Sequence, residues 1–260
     1  MRLFIIRHGE SINNRLDGEV GYEDYIQRRS PDPALTELGQ RQAEAVARHL
    51  AEAQVAEHFR GSLESRPSGY GITKLYCSPM LRAMQTAWPI TQALGIPAEV
   101  MMDIFEQGGM FTGDPRNLEN VANYPGMTRA QMEAQFAGYI LPPPVTANGW
   151  WRDGYEDLPG CFGRAARVAY RLRQMARQMA RQMAQEDSEG ERVVLVSHAT
   201  FIDNLLKALL NQLPGTDHVF VHYNTAITRI DFRGERQYLR YVNRTEHFTP
   251  ELFVEHHPSI

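Results

Sequence analysis

Two apolar runs in the sequence, residues 3–6 and 193–196, each end within two residues of a histidine, His8 and His198. Both runs are rich in branched aliphatic side chains, which is typical of buried parallel strands. In open α/β sheets, ligands bind beyond the carboxyl ends of the strands. We therefore expect both imidazoles to lie at the same edge of a sheet, where they can act on one ligand.

Two arginines add positive charge to this pattern. Arg7 directly precedes the first histidine, and Arg82 lies about one turn into a helix that follows a third strand-like run. Each guanidinium offers a planar fork of N–H donors that matches phosphate oxygens. A helix that starts near Thr200 adds backbone N–H groups and a partial positive charge, and Ser11 and Asn14 add neutral donors. The ligand expected at this cationic site is a phosphoryl group.

A histidine in such a site has a second use, as a nucleophile. Positive charge around His8 disfavours the imidazolium form, so a neutral ring nitrogen is expected near pH 7. A neutral imidazole can take a phosphoryl group covalently. The leaving oxygen then needs a proton. Glu106, which follows the strand-like run 98–102, is the expected general acid, with Glu10 and Asp103 as alternatives.

The elements that must position these residues follow from the periodicity of the chain. Branched apolar runs alternate with amphipathic stretches, which predicts an α/β fold: a three-layer α/β/α sandwich with a mostly parallel sheet. Strands are expected at 3–6, 73–77, 98–102, 193–196, 219–221, 226–232 and 237–242, and helices at 36–56, 79–94, 163–185 and 200–210. Thr36 and Thr200 are the expected N-caps, and Pro79 the first residue of its helix.

Two long stretches lack regular periodicity. Residues 13–33 are polar and predict an irregular loop. Residues 107–160 are rich in Gly, Pro, Asn and Trp, and predict a cap inserted into a single domain 1–260, with a short helix at 129–136. A stretch of that length without regular periodicity is usually functional or disordered. We expect this insert to set substrate choice, with a lid formed by Trp150, Trp151, Arg152 and Tyr155. The alternative for the tryptophan pair is that it packs the cap on the core.

The composition limits the classes of function that this protein can have. The 260 residues include 27 Lys and Arg against 31 Asp and Glu, a net charge of −4 that argues against broad binding of nucleic acid or anionic membranes. The two cysteines, Cys77 and Cys161, form no CxxC pair, which argues against a disulfide scaffold or a structural zinc site. No apolar run approaches the roughly 18 residues that span a bilayer. No signal peptide is evident either, so we expect a cytoplasmic protein.

Four blocks of the sequence resemble, in order, those of the histidine phosphatase superfamily, also called phosphoglycerate mutase-like. They are Arg7 to Ser11 with Asn14, residues 35–43, residues 78–87, and Ser197 with His198. Together the blocks cover residues 1 to about 210, and the insert is the unmatched part. As a set they are highly specific.

This resemblance implies a role for each residue of the site. His8 would take the phosphoryl group, and Glu106 would protonate the leaving group and then activate water. The catalytic set would be His8, Glu106, His198, Arg7 and Arg82, and the phosphate-binding set Arg7, Ser11, Asn14, Arg82, His198 and Ala199. No metal and no cofactor would be required. The partners would be a phosphorylated small molecule as substrate and inorganic phosphate as product.

Three functions remain open at this point. A phosphomonoesterase is favoured over a phosphoglycerate mutase or other phosphotransferase, because mutases resemble one another in a Glu-Arg-x-Tyr-Gly segment, whereas Gln107 and Gly108 follow Glu106 here. The third function is a non-catalytic module that binds a phosphorylated ligand. A methionine stripe, Met175, Met179 and Met183, is expected to pack a core or an interface. That stripe and the C-terminal tail are candidate contact surfaces for a homodimer.

Overall fold

A six-stranded sheet organises the computed structural model, which describes residues 1–52, 69–186 and 190–253, without the side chains of residues 183–186. The strands are β1 (Arg2–Arg7), β2 (Lys74–Cys77), β3 (Ala98–Val100), β4 (Phe111–Thr112), β5 (Ala122–Asn123), β6 (Arg192–Ser197), β7 (Ile227–Arg233) and β8 (Arg236–Arg244). The helices are α1 (Ile12–Glu19), α2 (Tyr22–Arg28), α3 (Glu37–Glu52), α4 (Leu81–Leu94), α5 (Arg129–Gln135), α6 (Leu158–Glu186) and α7 (Ala199–Leu209). Short 3-10 helices cover Met102–Ile104, Leu118–Asn120 and Pro250–Leu252.

The strand order of the large sheet is β3-β2-β6-β1-β7-β8. The first four of these strands are parallel, and β7 and β8 add antiparallel pairs at one edge. β1 pairs with β6 in a register that sets Arg7 opposite Ser197. Because the two strands run in the same direction and end at the same level, the residues that follow them, His8 and His198, leave the sheet side by side.

Helices cover the sheet on both faces. Alternate residues of β1 divide between two apolar clusters, with Phe4 and Ile6 in one and Leu3 and Ile5 in the other. The first cluster packs against α3, α4 and part of the insert, and the second against α6 and α7. The result is the predicted α/β fold with a mostly parallel sheet between two helical layers. Met175 and Met179 pack against the second cluster, whereas the side chain of Met183 and the tail 254–260 lie outside the described residues.

The prediction of an irregular loop at 13–33 is wrong, because α1 and α2 occupy most of it. A reciprocal cap starts α1: the Ser11 hydroxyl accepts from the Asn14 amide at 3.2 Å, and Asn14 Oδ1 accepts from the Ser11 amide at 3.1 Å. Helix α1 buries only Asn13 and Leu16, and α2 buries no residue. Without an apolar stripe, these short helices leave no hydrophobic periodicity in the sequence.

Other boundaries differ for local reasons. Residues 219–221 form no strand, since the Phe220 amide donates to Asp203 Oδ1 at 2.9 Å rather than to a neighbouring strand. Helix α4 starts at Leu81, whose amide donates to Asp32 Oδ1 at 3.0 Å, so Pro79 precedes the helix. The N-cap of α7 is His198 and not Thr200.

Several predicted elements agree closely with the structure. Thr36 caps α3, because its hydroxyl accepts from the Gly39 amide at 3.0 Å. The described part of that helix ends at Glu52, and the predicted continuation to residue 56 lies outside the described residues. Within the insert, α5 occupies the predicted position and begins with a capping box. The small antiparallel pair of β4 and β5 was not predicted. No helix among the described residues is both long and apolar enough to cross a membrane.

Two glycines allow the loop after β1 to lie against the start of α3. A Cβ atom on Gly9 would meet the Gly39 carbonyl oxygen at 2.4 Å, and one on Gly39 would meet the Glu10 carbonyl oxygen at 2.0 Å. The Thr36 amide bonds to that same Glu10 oxygen at 2.9 Å. Because the obstacle in each case is backbone, a side chain at either position forces the loop away from α3.

We therefore expect Gly39→Ala to lower the free energy of unfolding by about 1–3 kcal/mol, the usual cost of overpacking. The matched control is Gly163→Ala in α6, where the added Cβ meets only the end of the Arg167 side chain at 3.5 Å. That change should stabilise the protein by up to about 1 kcal/mol through helix propensity. Urea denaturation of the two variants checks this, and equal stability of Gly39→Ala and the unchanged protein would contradict it.

Candidate active site

The structure brings the two histidines together where β1 and β6 end. The ring centroids of His8 and His198 are 5.1 Å apart, with an angle of 54° between the ring planes. Both side chains are buried, with exposed fractions of 3% and 0%. The two rings are therefore close enough to contact one tetrahedral anion.

Hydrogen bonds define the tautomer of His8. Its Nδ1 lies 2.7 Å from the carbonyl oxygen of Gly9, which can only accept, so Nδ1 carries the proton. Nε2 then holds the lone pair and accepts from Nε of Arg82 at 3.1 Å. Burial, followed by the charges of Arg82 and Arg7, holds the pKa of His8 well below its usual range. The ring is thus a neutral base whose lone pair faces a guanidinium.

His198 is held by Ser78 at the end of β2. His198 Nε2 lies 2.8 Å from the Ser78 hydroxyl oxygen, which also accepts from the Met80 amide at 3.3 Å. A serine hydroxyl can donate as well as accept; when it donates to Nε2, the proton of the neutral ring is on Nδ1. Nδ1 is buried and has no hydrogen-bond partner among the described residues. Burial, then the charges of Arg82 and other cations, lowers the pKa of His198 as well.

The two arginines provide the positive charge of the site. Arg7 donates through Nη1 to the His222 carbonyl at 2.7 Å, while its buried Nε has no partner in the described part of the chain. Burial lowers the pKa of Arg7 to about 10, against the opposing effect of the Glu106 charge. Burial also lowers the pKa of Arg82, and again Glu106 opposes it, together with Asp32. Both guanidiniums remain cations at neutral pH.

Glu106 occupies the N-terminus of α7. Its Oε1 accepts from the Phe201 amide at 3.0 Å and from the Gln107 amide at 2.9 Å, and its Oε2 accepts from the Thr200 amide at 3.3 Å. These amides belong to the first turn of a helix, where backbone N–H groups lack intrahelical partners, and the Glu106 side chain supplies acceptors for them. The charge of Glu106 affects the pKa values of both site arginines, so the carboxyl group lies near the cationic pocket.

The alternative acids point elsewhere. The buried Glu10 carboxylate accepts from the Thr36 hydroxyl at 2.6 Å, at the start of α3. Asp103 forms an ion pair with Arg171 at 2.6 Å on the protein surface. Of the three carboxylates expected from the sequence, Glu106 is therefore the one whose charge acts on both site arginines.

The remaining residues of the expected phosphate-binding set lie at the starts of two helices. Ser11 and Asn14 form the reciprocal cap of α1, and Ala199 is the first residue of α7, next to His198. Asn224, which no pattern in the sequence indicated, links His8 to Asn14. Its Nδ2 donates to the His8 carbonyl at 2.9 Å and lies 3.4 Å from Asn14 Oδ1.

The insert packs on the core through its tryptophans. Trp150 and Trp151 are each 5% exposed, and the ring centroids of Trp151 and Phe105 are 4.7 Å apart. Arg152 is exposed and donates to the Thr146 hydroxyl at 2.7 Å. Tyr155 accepts from Gln107 Nε2 at 3.1 Å. The alternative expectation for the tryptophan pair therefore describes the structure, and none of these contacts is with the histidines.

The arrangement has a clear chemical capacity. A neutral imidazole lone pair, two buried guanidiniums and the unpartnered Nδ1 of His198 can bind a tetrahedral oxyanion and attack its central atom. A carboxyl group stands beside them for proton transfer. Among the described residues, no group of three or more His, Cys, Asp or Glu side chains is placed to hold a metal ion.

Comparison with known proteins identifies related folds. Residues 3–245 match the histidine phosphatase superfamily, branch 1. A mutant phosphoserine phosphatase from Entamoeba histolytica, solved with phosphoserine, is 20% identical, covers 95% of this chain and 99% of its own, and has a TM-score of 0.53. An ecdysone phosphate phosphatase from Bombyx mori, solved with tungstate, is 18% identical, covers 92% of each chain and has a TM-score of 0.53. No curated protein sequence matched the chain.

The environment of the two histidines predicts their titration. We expect both rings to stay neutral in the folded protein as the pH falls from 8 to below about 6.5, the pKa of a free histidine. The unfolded chain then binds more protons than the folded one below pH 6.5, so these groups should lower stability as the pH falls. Ring ¹⁵N shifts measured by NMR across this range provide the check.

The variant Arg82→Met isolates one cause of the shift. Because Arg82 is the largest cause after burial, the pKa of His8 should rise in this variant and stay below its ordinary value. A midpoint near pH 6.5 for His8 in the unchanged protein would contradict the assignment.

Proposed function

We propose that this chain, which belongs to the histidine phosphatase superfamily, hydrolyses phosphate monoesters of small molecules through a phosphohistidine on His8. The observation that carries the proposal is the buried, neutral His8 Nε2, which accepts from Arg82 at 3.1 Å beside a second imidazole at 5.1 Å between ring centroids. A module that only binds phosphate gains nothing from a nucleophile kept unprotonated. The phosphatase names of the similar structures agree with this proposal.

In the first step, His8 Nε2 attacks phosphorus in line with the leaving oxygen. The N–P bond forms, the P–O bond breaks, and the leaving oxygen takes a proton from the Glu106 carboxyl group. Arg7, Arg82 and His198 donate hydrogen bonds to the phosphoryl oxygens throughout the transfer. Their unpartnered atoms, Arg7 Nε and His198 Nδ1, are donors that an oxyanion would satisfy. The rate enhancement comes from positioning and from charge that is already in place.

In the second step, water attacks the phosphohistidine. The Glu106 carboxylate takes a proton from the water, the P–N bond breaks, and inorganic phosphate leaves. His8 regains its lone pair and Glu106 its proton, so the site returns to its starting state. The amides of Thr200 and Phe201 stabilise the carboxylate between the two steps.

Hydrolysis is favoured over transfer between phosphorylated molecules by the residue that follows the acid. The Gln107 amide group donates to the Tyr155 hydroxyl at 3.1 Å and to the Glu156 carbonyl at 2.8 Å, so it is engaged within the insert. It adds no cation that would retain a second phosphorylated ligand. We propose that the insert at 107–160 acts as the cap of a single domain and restricts substrate choice. Assays with phosphoglycerates, with and without a bisphosphoglycerate, separate hydrolase from mutase.

Removal of the nucleophile tests the central claim. We expect His8→Ala to lower the hydrolysis of p-nitrophenyl phosphate by at least about 10³-fold, because loss of a covalent nucleophile removes most of the rate enhancement. Circular dichroism should show an unchanged fold, and acid-labile labelling by a ³²P-substrate should disappear. The control His218→Ala changes an exposed histidine and should keep full activity. Near-normal turnover by His8→Ala would remove the covalent mechanism.

Removal of the acid has an effect that depends on the leaving group. In Glu106→Gln we expect kcat/KM for glycerol 2-phosphate to fall by about 10²-fold, the usual contribution of a general acid, and that for p-nitrophenyl phosphate by far less. A nitrophenolate leaves without a proton, whereas an alkoxide does not. The parameter kcat/KM reports the first chemical step, so the later role of Glu106 toward water does not obscure the comparison.

The control for this prediction is Asp103→Asn, which alters an alternative acid on the same loop. Its ratio of the two kcat/KM values should equal that of the unchanged protein. Equal losses on both substrates in Glu106→Gln would assign the acid to another group.

A further inference from the structure

A buried arginine outside the catalytic pocket holds the loop that carries Glu106. The Arg164 side chain in α6 is 2% exposed. Its Nη1 donates to two carbonyl oxygens of that loop, Asp103 at 3.0 Å and Phe105 at 2.9 Å. The guanidinium also stacks on the Phe105 ring, with Cζ 3.6 Å from the ring centroid. Arg164 therefore contacts the residues directly before the acid through both polar and stacking interactions.

The same guanidinium reaches the helix on which the carboxylate rests. Its Cζ lies 4.5 Å from the ring centroid of Phe201, whose amide donates to Glu106 Oε1 at 3.0 Å. Arg164 thus lies against both supports of the carboxylate, the loop before it and the first turn of α7.

A carboxylate of the insert holds Arg164 in turn. Glu156 accepts from Arg164 Nε at 2.8 Å and from Nη2 at 2.5 Å, a bidentate pair with the Glu156 side chain 13% exposed. The backbone of Glu156 bonds to the chain just after the acid: its amide donates to the Gly108 carbonyl at 3.1 Å, and its carbonyl accepts from Gln107. The ion pair of Arg164 with Glu156 therefore holds the two ends of the insert together beside Glu106.

We infer that Arg164 is a positioning residue for Glu106, and that its pair with Glu156 couples the insert to the proton-transfer step. This inference rests on the proposed function, in which Glu106 is the general acid. The planar fork of Arg164 serves two carbonyls and one carboxylate at fixed angles, which the three donors of a lysine cannot reproduce. Loss of the fork lets the loop shift, and a displacement of about 1 Å is enough to impair proton transfer to a bound ester.

The test uses the ratio of kcat/KM for glycerol 2-phosphate to kcat/KM for p-nitrophenyl phosphate in one preparation. This ratio does not depend on the concentration of active enzyme, so partial unfolding leaves it unchanged. We expect Arg164→Met to lower the ratio by about tenfold or more, because only the alkyl ester needs the acid. Arg164→Lys should lower it less. Glu156→Gln, which retains Arg164 and the shape of its partner, should also lower it.

The matched control is Arg171→Met. Arg171 lies on the same helix and contacts the same loop, but through the exposed Asp103 side chain at 2.6 Å. Its ratio should equal that of the unchanged protein. A merely structural role of Arg164 predicts equal losses on both substrates, and an unchanged ratio in Arg164→Met and Glu156→Gln would overturn the inference. If Arg164→Met proves unfolded, the ratio in Glu156→Gln decides.

The double variant Glu106→Gln with Arg164→Met separates this inference from the proposed function. If Arg164 acts through Glu106, its removal changes the ratio no further once the acid is gone. If Glu106→Gln itself leaves the ratio unchanged, the assignment of the acid fails. If Glu106→Gln lowers the ratio and Arg164→Met does not, the inference alone fails.

Discussion

The parallel pairing of β1 with β6 is the constraint on which the rest of the site depends. The two strands end in register, with Arg7 opposite Ser197, so the next residue of each is a histidine at the same edge of the sheet. If the register between β1 and β6 shifted by one residue, the side chains after the shifted strand would point to the other face of the sheet. The short distance between the rings of His8 and His198 is thus a property of the sheet, supported by the apolar clusters on its two faces.

Burial and charge together determine the chemistry of that edge. Water is excluded from both imidazoles, and two guanidiniums lie beside them, so each ring is held neutral. The same burial leaves donors of Arg7 and His198 without partners among the described residues. An unsatisfied buried donor is costly in the free protein. A tetrahedral oxyanion would restore these hydrogen bonds and balance the positive charge, so burial favours the bound state.

The insert contacts the loop of Glu106 at the two ends of its own sequence. Arg164 and Glu156 connect α6, the loop of Glu106 and both ends of the insert within one buried ion pair. Removing one partner of such a pair leaves a buried charge without compensation, which is strongly unfavourable. The insert and the proposed acid Glu106 therefore share a support, whereas the proposed nucleophile His8 lies at the end of a strand of the sheet.

The sequence by itself determined the fold class and the two strands that end just before His8 and His198. These features come from local signals, such as branched apolar runs, an N-cap at Thr36 and a strand followed by a polar turn. It failed for α1 and α2, whose few buried residues leave no periodic pattern. Only the tertiary structure decided the supporting residues Ser78, Arg164 and Asn224, because each acts through a partner far away in the chain. Such contacts depend on how the elements pack, and no spacing within the sequence records that packing.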